Sequence, residues 1–341
     1  MAKRICLLTR GCHEFGMGHL HRTVWMHQAL AACGRELELS VCCQSGTEAH
    51  AFLSGQGIHA AYADWLSMEH SLPECDLLLV DWLDSPAEFL FNCARVARRS
   101  MLLDDYGPAT ESADVVVRSL LSEIAPAHGR IGRAEVHSGI TYLQLSPEIF
   151  RLRYGAQASL QAMSTELVDR VESTPGPVRS IMLSFGGTPR LLETQFALNL
   201  LAEQGYSGRV LVKPAPDELQ LPDGLDIELH PDTDGFHELL SACDMCIVSG
   251  GLTLYEAVFL GIPPLVLPLV PHQLDTARKL NAAGCCIIGS RPDELDHNLA
   301  AGRLMELLGG NHLRGRLIHN GMRLIDGGGL QRTLDILLGL L

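Results

Sequence analysis

The chain has 341 residues, 47% of them hydrophobic, and its 26 basic and 40 acidic side chains give a formal net charge of −14. That balance argues against nucleic acid and anionic membrane surfaces as partners, because both need clustered Lys and Arg. The length favours two domains, and the composition a globular protein with ample core.

After Met1-Ala2-Lys3-Arg4 only four apolar residues, Ile5 to Leu8, precede the next charge at Arg10, too few for a signal peptide, so a cytoplasmic location is expected and membrane association is doubtful. Residues 4–9 read as a first strand. Gly16-Met17-Gly18-His19-Leu20-His21-Arg22 then opens a helix that runs to about Ala32. Short apolar runs recur at 37–43, 58–61, 76–80, 101–103, 115–117 and 142–145, with helical stretches between them. This alternation is that of βα units around a mostly parallel sheet. Asp81 and Asp104-Asp105 fall just past strand ends, on the edge where doubly wound sheets carry their sites.

Residues 157–172 read as a helix, and Ser173-Thr174-Pro175-Gly176-Pro177 as a linker. The alternation then restarts. Strands are expected at 179–184, 209–213, 227–229, 245–248, 264–267 and 285–288, and closing helices at about 292–308 and 330–338. The expected organisation is therefore α/β, with two Rossmann-like domains and a cleft between them. The N-terminal domain covers 1–155, the linker 156–177 and the C-terminal nucleotide-binding domain 178–341.

Three junctions carry the chemistry. In Ser249-Gly250-Gly251-Leu252-Thr253-Leu254-Tyr255-Glu256 a buried strand feeds a helix through a glycine turn. Unpaired backbone N–H groups and the helix dipole make such a turn an anion seat. Glu256 follows within the next turn of helix, where its two oxygens suit a ribose diol. Ser184-Phe185-Gly186-Gly187-Thr188-Pro189 is a second strand–glycine–helix junction, with Thr188 expected as the helix cap. At the third junction, the helix dipole at its start is expected to keep His19 neutral, fit to act as a general base. No metal is expected. Asp232-Thr233-Asp234 has the form of a metal-binding D-x-D, but Asp234 reads as the cap of a helix starting near Phe236. The eleven cysteines, including Cys243-Asp244-Met245-Cys246, read as reduced core residues.

Taken together, Gly16-x-Gly18-His19-x-x-Arg22, Ser184-Phe185-Gly186-Gly187-Thr188, and Ser249-Gly250-Gly251-x-Thr253-x-Tyr255-Glu256 with His272-Gln273 resemble the GT-B-fold sugar-nucleotide enzymes. Within that group they are similar to the UDP-sugar hydrolase of pseudaminic acid biosynthesis and to the glycosyltransferases of spore-coat polysaccharide synthesis. Asp104-Asp105-Tyr106-Gly107-Pro108 and Ala113-Asp114-Val115-Val116-Val117 resemble the spore-coat branch in particular. The resemblance implies that Gly250, Gly251 and Thr253 hold a diphosphate, Glu256 the ribose and the Phe236 region a uracil base. Gly16, Gly18, Arg22, Gly186, Gly187, Thr188, Ser249, His272 and Gln273 complete the implied donor site, with Asp81 and Asp105 on the acceptor side. His19 is the implied base, and helix N-termini stand in for a metal, so no cofactor is expected.

The expected function is a metal-independent UDP-sugar-dependent glycosyltransferase of polysaccharide or glycoconjugate synthesis, acting on an unknown acceptor. Hydrolysis of a UDP-sugar by the same machinery is the alternative. The short Arg10-to-Gly16 loop, with Gly11-Cys12-His13-Glu14, departs from the hydrolase pattern of a longer loop carrying an acidic residue. A UDP-sugar 2-epimerase and an inactive nucleotide-binding regulatory protein are further readings.

Overall fold

The computed structural model describes residues 2–11, 17–44, 47–63, 72–120, 127–155, 175–232, 234–292 and 294–341. The chain divides into two compact units. The first joins Met1–Ser146 to Gly327–Leu341, and the second is Pro147–Asp326.

Unit 1 contains β1 (Lys3–Thr9), α1 (Gly18–Ala32), β2 (Leu37–Cys43), α2 (Thr47–Gly55), β3 (Ala60–Tyr62), β4 (Cys75–Asp81), α3 (Phe89–Cys93), β5 (Ala97–Leu103), β6 (Val115–Arg118), β7 (Ala127–Ile131) and β8 (Ala134–Ser138). Its eight-stranded sheet has the order β3-β2-β1-β4-β5-β6-β8-β7. All pairings are parallel except the β7–β8 hairpin. Ile5, Cys6, Leu7 and Leu8 are all buried, the continuous apolar run of a strand covered on both faces.

Unit 2 contains α4 (Pro147–Tyr154), β9 (Ser180–Ser184), α5 (Leu191–Glu203), β10 (Arg209–Val212), β11 (Asp226–Leu229), α6 (Phe236–Ser241), β12 (Met245–Val248), α7 (Leu252–Leu260), β13 (Pro264–Val266), α8 (Pro271–Ala282), β14 (Ile287–Ile288), α9 (His297–Gly309) and α10 (Asn311–Leu324). Its sheet is parallel throughout, in the order β11-β10-β9-β12-β13-β14. In both units the first strand is internal, so the topology reverses beside it: between β1 and β4 in unit 1, and between β9 and β12 in unit 2. Ligands of open α/β sheets sit beyond the carboxyl ends of the strands at such a reversal.

The two-domain α/β architecture is as expected, but its division differs from the expected boundaries at 155 and 178. Helix α4 belongs to unit 2, because Arg153 donates to the carbonyls of Phe259 at 3.0 Å, Met322 at 2.7 Å and Ile325 at 2.8 Å. The last helix, α11 (Gly329–Gly339), returns to unit 1. There it packs on α1 and on the 3-10 turn Ile140–Tyr142, and Arg332 donates to the Thr141 carbonyl at 2.8 Å. The expected helix over 157–172 and most of the linker fall outside the described residues.

Three elements differ from the expected pattern. Residues 142–145 form no strand; Tyr142 ends the 3-10 turn and Leu143 to Leu145 follow it. The β7–β8 hairpin has no counterpart in the apolar pattern, because Ala127 to Arg130 are all exposed and leave no period-2 alternation. Helix α10 has no counterpart among the expected elements, and it carries Gly315 and Gly321. Gly321 is a packing residue: a Cβ there would lie 2.8 Å from the Val258 side chain of α7. Among the described residues no helix is long and apolar enough to cross a membrane.

Candidate functional site

In unit 1 the reversal point is occupied by charge. His19, on the first turn of α1, stands beside Asp81 at the end of β4, with Nδ1 to Oδ1 at 2.7 Å. Arg22, one turn along the helix on the same face, donates from Nε to Asp81 Oδ2 at 2.9 Å and from Nη2 to Oδ1. Its Nη1 donates to Asp104 Oδ2 at 2.9 Å. Arg22 Nη2 also lies 3.0 Å from His19 Nδ1. A guanidinium has only donors and a carboxylate only acceptors, so the assignment that satisfies all three groups puts the proton on Nδ1, directed at Asp81. Nε2 then carries the lone pair. The imidazole is thereby held in one orientation, half-buried, by a buried carboxylate.

The carboxylates are set by opposing forces. Burial pushes Asp81 upward, but Arg22 and His19 outweigh it and hold the group below the usual carboxylate range. Burial likewise works against the Arg22 charge, and the Asp81 and Asp104 carboxylates raise it above its ordinary value. Asp104 is lifted by burial in spite of Arg22 and the Ser119 and Leu120 amides, which donate to it at 2.6 and 2.7 Å.

Two expected roles are corrected here. Arg22 was assigned to the diphosphate, yet it is 3% exposed and its guanidinium is committed to two carboxylates. Asp105 was placed on the acceptor side, yet it is fully buried and accepts from the amides of Ser85 at 3.1 Å and Gly107 at 2.8 Å, folding its own loop. Its neighbour Asp104 enters the network instead, from a left-handed backbone at φ 48°. Successive residues past a strand end point in opposite directions, and the sequence did not show which of the two would face inward. Gly18 opens α1, and a Cβ there would meet no protein atom within 4 Å among the described residues. Gly16 lies outside the described residues.

In unit 2 the reversal point joins two glycine turns, since Val248 of β12 pairs with Ser184 of β9. Helix α7 begins at Leu252, with Gly251 as its N-cap. Its first N–H groups have no intrahelical acceptor, and the helix dipole lies behind them. Gly250 is required by packing. A Cβ there would run into the Gln273 carbonyl, whose carbon lies 2.8 Å away. Gly250→Ala is therefore expected to lower stability by about 2 kcal/mol, the cost of overpacking a fitted contact; thermal unfolding checks it.

Gln273 accepts from Leu269 N at 2.9 Å through Oε1, while its Nε2 stands 3.8 Å from where a Gly251 Cβ would be. The amide thus turns its donor toward the glycine turn. His272 and Thr188 are exposed. Gly186, at φ 118°, and Gly187 have open space beside them, and the Ser184 hydroxyl is buried with no hydrogen-bond partner among the described residues.

Both expected side-chain caps are corrected. Helix α5 starts at Leu191 behind Arg190 rather than at Thr188, and α6 is capped by the left-handed Gly235 rather than by Asp234. Asp232 instead accepts from Lys213 Nζ at 3.1 Å, and Thr233 lies outside the described residues. Among the described residues no group of three or more His, Cys, Asp or Glu is placed to hold a metal. Cys243 and Cys246 are both buried, and burial pushes the Cys243 thiol up to about 12, as suits core residues.

Glu256 is 5% exposed and one oxygen is already engaged: Nε2 of His237 lies 3.1 Å from Oε1. Phe236, half-buried, precedes that histidine at the start of α6. His237 was not anticipated. One histidine among fifteen, nineteen residues before its partner, gave no spacing signal.

No family model matches the chain. It is 23% identical over 344 aligned residues to the spore coat polysaccharide biosynthesis protein SpsG of Bacillus subtilis, covering 96% of this chain and 95% of that protein. Among solved structures, MurG of Acinetobacter baumannii superposes with a TM-score of 0.66 at 13% identity over 99% of both chains. The calicheamicin glycosyltransferase CalG4 does so with a TM-score of 0.65 at 13% identity, over 100% of this chain and 98% of that one. The resemblance to the spore-coat branch thus extends along nearly the whole sequence, and the fold is that of the GT-B glycosyltransferases.

Proposed function

From its place among the glycosyltransferase-like proteins of GT-B fold, we propose that this chain transfers a sugar from a UDP-sugar to a saccharide acceptor in polysaccharide or glycoconjugate synthesis. The observation that carries the reading is the His19–Asp81 pair, an oriented imidazole at the reversal point of unit 1. In this reading His19 Nε2 takes the proton of an acceptor hydroxyl as its oxygen attacks the anomeric carbon. The proton leaves the hydroxyl as the new glycosidic bond forms and the bond to UDP breaks. Asp81 supports the imidazolium that results. The departing diphosphate is stabilised by the N–H groups of the turn from Ser249 to Thr253, the α7 dipole and the Gln273 amide, without a metal. Glu256 accepts from the ribose hydroxyls, and the base lies by Phe236.

The test is UDP release from a panel of UDP-sugars, with and without added mono- and oligosaccharides. Release that depends on a saccharide supports transfer. Fast release into water alone, abolished by His19→Ala, would assign the same machinery to hydrolysis. Gly18→Ala separates ligand approach from folding. The alanine is a better helix former and meets no atom of the described residues, so stability should hold or rise by about 0.5 kcal/mol. Turnover should fall, because the new methyl occupies the space reserved for the donor. Unchanged turnover would remove Gly18 from the site.

A further inference from the structure

His237 bridges two carboxylates. Nε2 lies 3.1 Å from Glu256 Oε1 on α7, and Nδ1 lies 3.0 Å from Glu148 Oε2 on α4. Ionised carboxylates only accept, so both ring nitrogens donate and the ring is an imidazolium. The three helices that carry this chain pack on one another within unit 2. Among the described residues the charged groups around the ring come from three helices. Glu256 comes from α7, and Glu148 from α4 with Arg151 beyond it. Glu238 on α6 itself stands beside Glu148. Arg153 of α4 is occupied by backbone carbonyls.

Resting on the assignment of Glu256 to the ribose, we propose that His237 is a positioning residue for donor recognition: it fixes Glu256 by one oxygen and leaves the other for vicinal hydroxyls, while Glu148 holds the ring in its charged form. A carboxylate 5% exposed would otherwise stand nearly uncompensated and free to turn. The bridge thus keeps Glu256 aimed. Burial opposes the charged ring, but the Glu256 and Glu148 carboxylates raise it from 6.5 to about 9. The arrangement therefore persists at neutral pH and is lost as pH rises through that value.

The experiment compares UDP with 2′-deoxy-UDP by titration calorimetry. The base and diphosphate are common to both, so their ratio reports the ribose contact alone. At about pH 7 the wild type should prefer UDP by about tenfold, the worth of one hydrogen bond to a charged group. His237→Gln and His237→Ala should abolish the preference by weakening UDP more than 2′-deoxy-UDP, which offers Glu256 its 3′ hydroxyl alone. In the wild type the preference should collapse as pH rises past about 9, and Glu148→Gln should move that collapse to lower pH. A preference retained by both His237 variants, or by the wild type at about pH 10, would overturn the role of His237. A wild type with no preference at about pH 7 would instead refute the ribose assignment of Glu256.

Discussion

Replacing His19 with alanine is expected to reduce turnover by about 10²- to 10⁴-fold while leaving UDP affinity unchanged, the range for loss of a positioned general base. The ring is half-buried, Nδ1 is committed to Asp81 at 2.7 Å, and Nε2 is left to take a proton. The nucleotide contacts proposed here all lie in unit 2, so binding and chemistry should separate. Asp81→Asn should act in the same direction. An amide in that place no longer fixes the tautomer with the lone pair on Nε2, and it withdraws the charge that supports the imidazolium. Steady-state kinetics beside UDP titration checks both variants. Unaltered turnover in His19→Ala would exclude the residue as the base.

Arg22→Met is expected to be the most destabilising single change in unit 1, by about 3–5 kcal/mol, because it leaves buried carboxylates without their cation. Asp81 and Asp104 are 2% and 1% exposed, and Arg22 is the cation they share. The pH dependence distinguishes this cause from lost packing. Asp81 is held below its usual range in the native protein, so its contribution is present above the unfolded value and is lost as pH falls through the folded one. Without Arg22 only His19 is left to oppose burial, so Asp81 loses most of what its charge contributes above the unfolded value and costs less when protonated. The gap between wild type and variant should therefore narrow in acid. Chemical unfolding at several pH values measures it, and a gap constant with pH would assign the loss to packing.

Much of this was legible in the sequence, for reasons that can be traced residue by residue. The run Ile5 to Leu8 and the glycine turn after Val248 announce a buried parallel strand and a strand–turn–helix junction through composition alone. Asp81 is expected just past a strand end and His19 at the start of the helix after the first strand, and the order of the strands brings them together. What local pattern could not supply was long-range pairing. The commitment of Arg22 to two carboxylates depends on a residue eighty-two positions away. The choice between Asp104 and Asp105 turns on one left-handed backbone angle. The return of α11 to unit 1 is fixed by Arg332 on the Thr141 carbonyl, and by Gly329 fitting against Leu143 where no side chain would. The role of His237 lies in contacts from two other helices.

The central claim, that the glycine turn of unit 2 holds the diphosphate of a UDP-sugar, is tested most directly by a crystal structure of the chain with UDP bound. The account expects phosphate oxygens on the amides of Gly250, Gly251 and Thr253, the ribose hydroxyls on Glu256 and the base beside Phe236. UDP bound away from the α7 N-terminus, or with its ribose turned from Glu256, would contradict it.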